Sequence, residues 1–418
     1  MAVICKSSKF LEYRILSALM LSEASEGIRT IASPFLVYTA TGRLSSASLV
    51  AVSGAIPAIL VGILGSPQVE KLNRQKIIAY SNILQSILLI TLPLTWASAG
   101  IFAMMVISFI SSSVGALERP AMYSSLPLIF GENYQDFIGK RAGVSFFMQS
   151  VSPVMGGALV GFIGASHTLV ICGILYGVYA LLIYTIKNFD TDYKNRAKKH
   201  QGQKNIDMVK AGIEIVRNIP ALKTLYIFWF FSMTAVPIGV LSAVPYVSEN
   251  LGLTSFEFGI ASACYGVATI SSSIIAGKMK FRGGARSWLL ASGTIYGLTN
   301  MLMGFEPQFL MFCILWFIWG LAYGPEEVVG NLVFVQSAPE EFQGRLFSLM
   351  TVVMTGGMLI GNSLVGPLSD RLGPQWAMVL AGVIFITSTI CSFAFGQGAR
   401  EIATISMTST KPTSDEVR

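Results

Sequence analysis

The sequence predicts an all-α membrane protein with many spans, and three observations lead there. Of its 418 residues, 53% are hydrophobic and only 12% charged, with a mean hydropathy of +0.63. A soluble domain carries roughly a quarter charged residues, so this chain has too little polar surface to coat a globule in water. The apolar residues also run continuously, as over 101–110 and 309–323, where a transmembrane barrel would alternate polarity in segments of about 10 residues.

A spanning helix needs about 20 mainly apolar residues. Hydropathy places twelve such spans, over 11–38, 45–64, 77–97, 99–127, 143–163, 168–186, 221–247, 259–279, 287–304, 309–335, 346–368 and 376–396. With the N-terminus inside, all 29 Lys and Arg fall on the inner side except Arg29 and Arg119, within spans, and Arg43 and Arg371, in outer loops. Cytoplasmic loops accumulate Lys and Arg. Both termini are therefore expected in the cytoplasm of a cell inner (plasma) membrane, and the net charge of +7 needs no nucleic acid to explain it. Lys6 and Lys9 precede a stretch broken by Glu12 and Arg14, which argues against a cleavable signal peptide.

Little else in the composition points to chemistry. The five cysteines are scattered without a CxxC and read as small packing residues. His167 and His200 are the only histidines, which leaves no His-based metal cluster and disfavours a membrane enzyme. No phosphate-cradling Gly loop is visible, so ATP drive is not expected. The reading calls for no metal and no cofactor.

Residues 187–220 are polar and basic and divide the chain into an N-terminal half, 1–186, and a C-terminal half, 221–397. Within them Ile206, Val209, Ile213 and Val216 share one helical face, which predicts an interfacial amphipathic helix over 206–218 in an otherwise solvated linker. The Ser/Thr-rich tail, 398–418, is expected to be disordered. The halves repeat at an offset of 205 residues. Gly115 maps to Gly320, Pro120 to Pro325, Asp136-Phe137 to Glu341-Phe342, Gly139-Lys140 to Gly344-Arg345, Gly156 to Gly361 and Gly161 to Gly366. Two six-helix halves in parallel repeat are the architecture of a rocker-type secondary transporter.

The strongest functional signal is charge inside apolar spans, where an ionisable residue costs a few kcal/mol or more and is usually directed to a cavity. Span one carries Glu23, Glu26 and Arg29 at i, i+3, i+6, close to one face. Span four carries Glu118-Arg119 just before Pro120, and span ten carries Glu326-Glu327 just after Pro325. The five acids outnumber the two arginines, so at least one Glu is expected to hold a proton or meet substrate. The alternative is a salt-bridge set that only ties the halves together. Phe228, Trp229, Phe230, Phe231, Trp316 and Trp319 either line the same cavity or face lipid and neighbouring helices.

Three stretches carry a family resemblance: residues 33–62 (SPFLVYTATGRLSSASLVAVSGAIPAILVG), residues 120–127 (PAMYSSLP) and residues 149–157 (QSVSPVMGG). The chain resembles the major facilitator superfamily, in particular its enterobactin-exporter and macrolide-efflux branch, over most of its length. That resemblance implies a central cavity ringed by spans one, four, seven and ten, where the charges above would converge. It makes Glu26 the leading proton carrier, since the branch commonly has an Asp there.

The superfamily's loop after span two usually reads G-x-x-x-D-[RK]-x-G-[RK]-[RK]. Here Ser66, Glu70, Lys71 and Arg74 keep the small residue, the acid and the bases but neither glycine. The resemblance implies a cytoplasmic gate at these four residues; a plain positive-inside loop is the alternative. Residues 366–373 (GPLSDRLG) match the motif more literally but fall on the outer side, where no such latch is expected. In span five, Pro153, Gly156 and Gly157 keep the end of an exporter pattern whose first position is Gly139. These residues, with Pro120, Pro325 and Gly361, imply close packing and bends, although ordinary small-residue packing explains them nearly as well.

The expectation is a monomeric, proton-coupled exporter of a siderophore or lipophilic drug that works by alternating access, with small-molecule substrate, protons and the bilayer as its only partners. An importer of a small metabolite or a lysolipid flippase is the alternative.

Overall fold

The computed structural model describes residues 9–186, 189, 213–278, 284–305, 308–339 and 343–404, without the side chains of 62–71, 132, 135, 146, 277, 278, 343–345 and 348. All regular structure among them is helical. In chain order the helices are α1 (Lys9–Thr41), α2 (Leu44–Lys71), α3 (Arg74–Ile90), α4 (Leu92–Ala99), α5 (Ile101–Phe130), α6 (Tyr134–Ile163) and α7 (Ala165–Tyr184). They continue with α8 (Pro220–Pro245), which runs on into a π turn over Tyr246–Asn250, then α9 (Ser255–Lys278) and α10 (Gly284–Met303). The last four are α11 (Phe309–Ser337), α12 (Gln343–Leu372), α13 (Pro374–Phe393) and α14 (Ala399–Thr404).

Nine of the described helices are long and apolar enough to cross a membrane. The bent pair α3–α4, turned by 55°, makes ten. The break follows Ile90 because Pro93 opens a new helix and cannot donate into the old one. The expected spans one and nine are also helices, α1 and α10, yet they fall outside that set. Glu12, Arg14, Glu23, Glu26 and Arg29 dilute the first, and Arg286 with a run of Ser, Thr and Asn dilutes the second. One-residue turns at Gly164 (φ 82°) and Gly373 (φ 89°) reverse the chain between α6 and α7 and between α12 and α13, a backbone setting that favours glycine.

The helices pack as two groups with one scheme. In the first, α1 lies against α6 and α7, α2 against α5, and α3 against α5 and α7. In the second, α8 lies against α12 and α13, α9 against α11, and α10 against α11 and α13. The groups meet chiefly along α6–α9 and α2–α12.

The core shows where they meet. We call the end bearing Lys9 the near end and the opposite one the far end. One apolar cluster at the far end takes residues from both groups, including Phe35, Leu44 and Ile107 with Tyr246, Phe258 and Val365. At the near end the core is split. Ile15, Ile78, Phe137 and Ile183 belong to a cluster of the first group alone, and Leu222, Leu289, Phe334 and Leu346 to one of the second alone. Among the described residues, the molecule is thus closed at the far end and parted at the near end.

Two expectations shift. The segment expected as a disordered tail begins with structure. Ala399–Thr404 form α14, with Ile402 fully buried. The Ala221 N–H donates to Glu401 Oε2 at 3.0 Å and the Gly398 N–H to Thr224 Oγ1 at 3.1 Å. Of the proposed interfacial helix, residues 213–218 are helical. Its remainder, 206–212, lies outside the described residues, as do most of 187–212 and the end of the tail.

Candidate transport site

The intramembrane charges sit in the gaps between the core clusters. On α1 the near-end cluster stops at Leu19 and the far-end cluster starts at Ile28, with Glu23 and Glu26 between. On α5, Glu118 and Arg119 fall between Ile107 and Ala121, and on α11, Glu326 and Glu327 fall between Ala322 and Val329. All six therefore lie at mid-depth, where the shared core ends and the parting of the groups begins. Arg29 follows Ile28 at the edge of the same level.

The first group neutralises its central acid. Arg29 Nη2 donates to Glu26 Oε2 at 2.8 Å and Oε1 at 3.0 Å, and Arg29 Nε reaches Oε2 at 3.3 Å. Tyr176 on α7 donates its hydroxyl to the same Oε2 at 2.9 Å, and Arg119 Nη2 stands 3.9 Å from Oε1. Glu118 does not pair with its neighbour Arg119; its Oε1 accepts from the Tyr179 hydroxyl at 3.0 Å. Glu23 Oε1 accepts from Ser145 Oγ at 3.2 Å. The tyrosines went unnoticed in the sequence, although Tyr176 and Tyr179, at i, i+3 in an apolar span, are a signal: a buried phenol usually has a partner.

The second group does not neutralise its acids. Glu326 is buried, 7% exposed, and no hydrogen bond or ion pair reaches it or the exposed Glu327 among the described residues. A buried carboxylate without a cation is costly, so this position calls for a proton or a cationic ligand. One to three turns before it on α11 stand Tyr323, Trp319 and Trp316, joined to Tyr265 of α9 and Tyr296 of α10. Ring centroids are 4.7 Å apart for Tyr265–Trp319, 4.8 Å for Tyr296–Trp319 and 6.2 Å for Tyr265–Tyr323. The indole nitrogens of Trp316 and Trp319 are buried without a hydrogen-bond partner among the described residues. Of the span-seven aromatics, Phe228 and Trp229 are buried in the near-end core, Phe230 is half-buried and Phe231 exposed.

The charges do not all converge. Glu23, Glu26, Arg29, Glu118 and Arg119 form one set and Glu326 with Glu327 another; among the described residues no ion pair links the two. Of the gate residues, the side chains of Ser66, Glu70 and Lys71 lie outside the description. Arg74 is buried and donates from Nη1 to the Ser124 carbonyl at 2.8 Å, inside the first group.

The packing residues divide by partner. A Cβ on Gly156 would stand 3.1 Å from Ile28 Cα, within the first group, and one on Gly361 3.0 Å from the Thr234 carbonyl carbon, within the second. One on Gly157 would instead press on Ser255 and stand 3.1 Å from Gly259 Cα, both across the seam. Among the described residues, a Cβ placed on Gly139 would meet no atom within 4 Å beyond its chain neighbours and its own helix backbone. Pro120, Pro153 and Pro325 all lie inside their helices.

A helical membrane protein in two similarly packed groups, closed at one end around mid-depth charges, has the form of a transporter. Residues 15–245 and 230–406 match the model of the Major Facilitator Superfamily, and the chain belongs to that family. It is a secondary-active transporter of a small molecule by alternating access, and not an enzyme.

It is 22% identical over 373 residues to the multidrug efflux pump Tap of Mycobacterium tuberculosis (strain ATCC 25618 / H37Rv), covering 86% of this chain and 87% of that one. It is 23% identical over 395 residues to macrolide efflux protein A of Streptococcus pyogenes, covering 90% and 94%. In fold it is similar to a bacterial homolog of the human lysosomal transporter Spinster in an inward-facing, unoccupied conformation. That match has a TM-score of 0.73 and 16% identity, and covers 96% of this chain and 100% of that one.

Proposed function

We propose that the protein is a proton-coupled exporter of lipophilic, cationic or neutral organic molecules, with twelve spans in two six-helix halves, α1–α7 and α8–α13. On this reading α1 and α10 cross the bilayer despite their polar content, because their 33 and 20 residues are enough to span it. In packing, α1 sits in its group as α8 does in the other, and α10 as α3 does. The near end is cytoplasmic, since nearly all Lys and Arg gather there, and the conformation is inward-facing. The similarity to multidrug and macrolide efflux pumps supports the direction of transport.

The observation that carries the reading is Glu326, a buried acid at mid-depth that no group neutralises among the described residues. It displaces Glu26 as the leading proton carrier, because Arg29, Arg119 and Tyr176 already satisfy that carboxylate. The same engagement of both arginines weakens the case for an anionic, siderophore-like substrate. The aromatic rings above Glu326 suit a flat or cationic one.

The test uses proteoliposomes with ethidium as a lipophilic cation. Glu326→Gln cannot titrate but keeps its shape. It should abolish accumulation driven by an imposed pH gradient while leaving downhill movement of ethidium. Full gradient-driven accumulation in this variant would place the coupling proton elsewhere.

A further inference from the structure

The motif GPLSDRLG, set aside in the sequence because it falls at the wrong end, makes a contact that its position did not suggest. The last turn of α12 presents Asp370 to the first turn of α2, in the other group. The Leu44 N–H donates to Asp370 Oδ1 at 2.9 Å and the Ser45 N–H to Oδ2 at 3.1 Å. The first N–H groups of a helix have no partner within it and carry a partial positive charge. Residue 43, just before α2, is an arginine and offers no side-chain acceptor, so the capping carboxylate comes from 326 residues away in sequence.

Two further contacts set this approach. Gly366, one turn back on α12, lets the backbones close. A Cβ there would press on Ser45 Cα and stand 2.9 Å from both Ser45 N and Ser48 Cβ. One more turn back, the Asn362 carbonyl accepts from Ser48 Oγ. Asn362, Gly366 and Asp370 thus form one strip along α12, at i, i+4 and i+8, laid against the start of α2. Beside it the Tyr38 hydroxyl donates to Glu249, again joining the first group to the second.

We infer that Asp370 is the catch of the far-end gate, a positioning residue for the transport cycle that caps α2 only while the two groups are closed there. When the far ends part, the carboxylate and the α2 amides separate and both return to water. The catch therefore favours the near-open state, and it rests on the alternating-access reading but not on which residue carries the proton.

The experiment reads that state directly, with no substrate and no gradient. In a cysteine-free background, Ala47→Cys reports on the buried far-end seam through its rate of reaction with an impermeant maleimide added from the far side. Asp370→Ala should raise that rate about tenfold, the size of a lost helix cap, and Asp370→Asn should raise it less, because an amide still caps.

Ser45→Pro removes one donor at a helix position that tolerates proline without touching the carboxylate. It should also raise the rate, and the double variant should be no faster than Asp370→Ala, since the two changes break one contact. If Asp370→Ala does not fold, Ser45→Pro against Ala47→Cys alone carries the comparison. Unchanged labelling in the folded variants, or effects that multiply in the double variant, would overturn the assignment, whether or not Glu326→Gln behaves as proposed.

Discussion

Gly157 separates switching from stability, and a single methyl group tests it. In Gly157→Ala the new Cβ presses on the Ser255 carbonyl oxygen and stands 3.1 Å from Gly259 Cα and 3.2 Å from Gly259 N. Carbon atoms at their optimal separation stand about 3.5–4.0 Å apart. The atoms it meets are backbone, so no rotamer change relieves the overlap, and α9 must withdraw from α6. Overpacking of this kind costs about 1–3 kcal/mol.

The cost falls only on the far-closed state, because the seam opens in the other one. At about 1.4 kcal/mol per factor of ten, the ratio of far-open to far-closed molecules should rise about 5- to 150-fold. Spin labels at Leu72 and Phe395, both exposed at the near end of opposite groups, should move closer together in the variant. Gly156→Ala is the control. It meets Ile28 Cα at 3.1 Å inside its own group, so it should lower the melting temperature and leave the label distance alone. A folded Gly157→Ala with an unchanged distance distribution would refute the idea that this glycine governs the seam.

The charge cluster on α1 gives a second prediction. Arg29→Ala leaves Glu26 with one hydroxyl and a cation 3.9 Å away. Breaking a buried pair costs about 3 kcal/mol or more, and the 38% exposure of the Glu26 side chain places this case at the low end. Thermal unfolding in detergent should show a clear loss for Arg29→Ala and a smaller one, about 1 kcal/mol, for Tyr176→Phe; equal effects would argue against the pair. A third concerns the C-terminal segment. Glu401→Ala removes the carboxylate that caps α8 through Ala221, worth about 1 kcal/mol, and should speed limited proteolysis near Arg400 without altering the rate of transport.

The fold was legible wherever an element depends on its own residues. Long apolar runs marked α5, α8 and α11, and the glycine and proline register marked the repeat that the packing scheme follows. Legibility failed where a partner is remote. The Asn73 side chain caps α3 from three residues away and can be read locally, but the cap of α2 comes from Asp370 and cannot. The pairing of Glu26 with Tyr176 spans 150 residues, so the count of acids and arginines showed that charge would be left over without showing where. The family resemblance placed the first suspicion on Glu26, which pairs with Arg29. Among the described residues Glu23 and Glu118 accept hydroxyl hydrogen bonds, and the acids with neither hydrogen bond nor ion pair lie on α11.

The single apolar cluster at the far end ties the gate to temperature. To open there, residues such as Phe35 and Phe258, whose rings meet edge to face at 5.5 Å, must part and let water in. Wetting apolar surface raises the heat capacity, and near room temperature the force that resists it is almost wholly entropic. The balance between the two states should therefore curve with temperature instead of following a straight van't Hoff line. Cooling weakens the seal, so a cell growing in the cold would hold this gate more loosely with every polar contact unchanged.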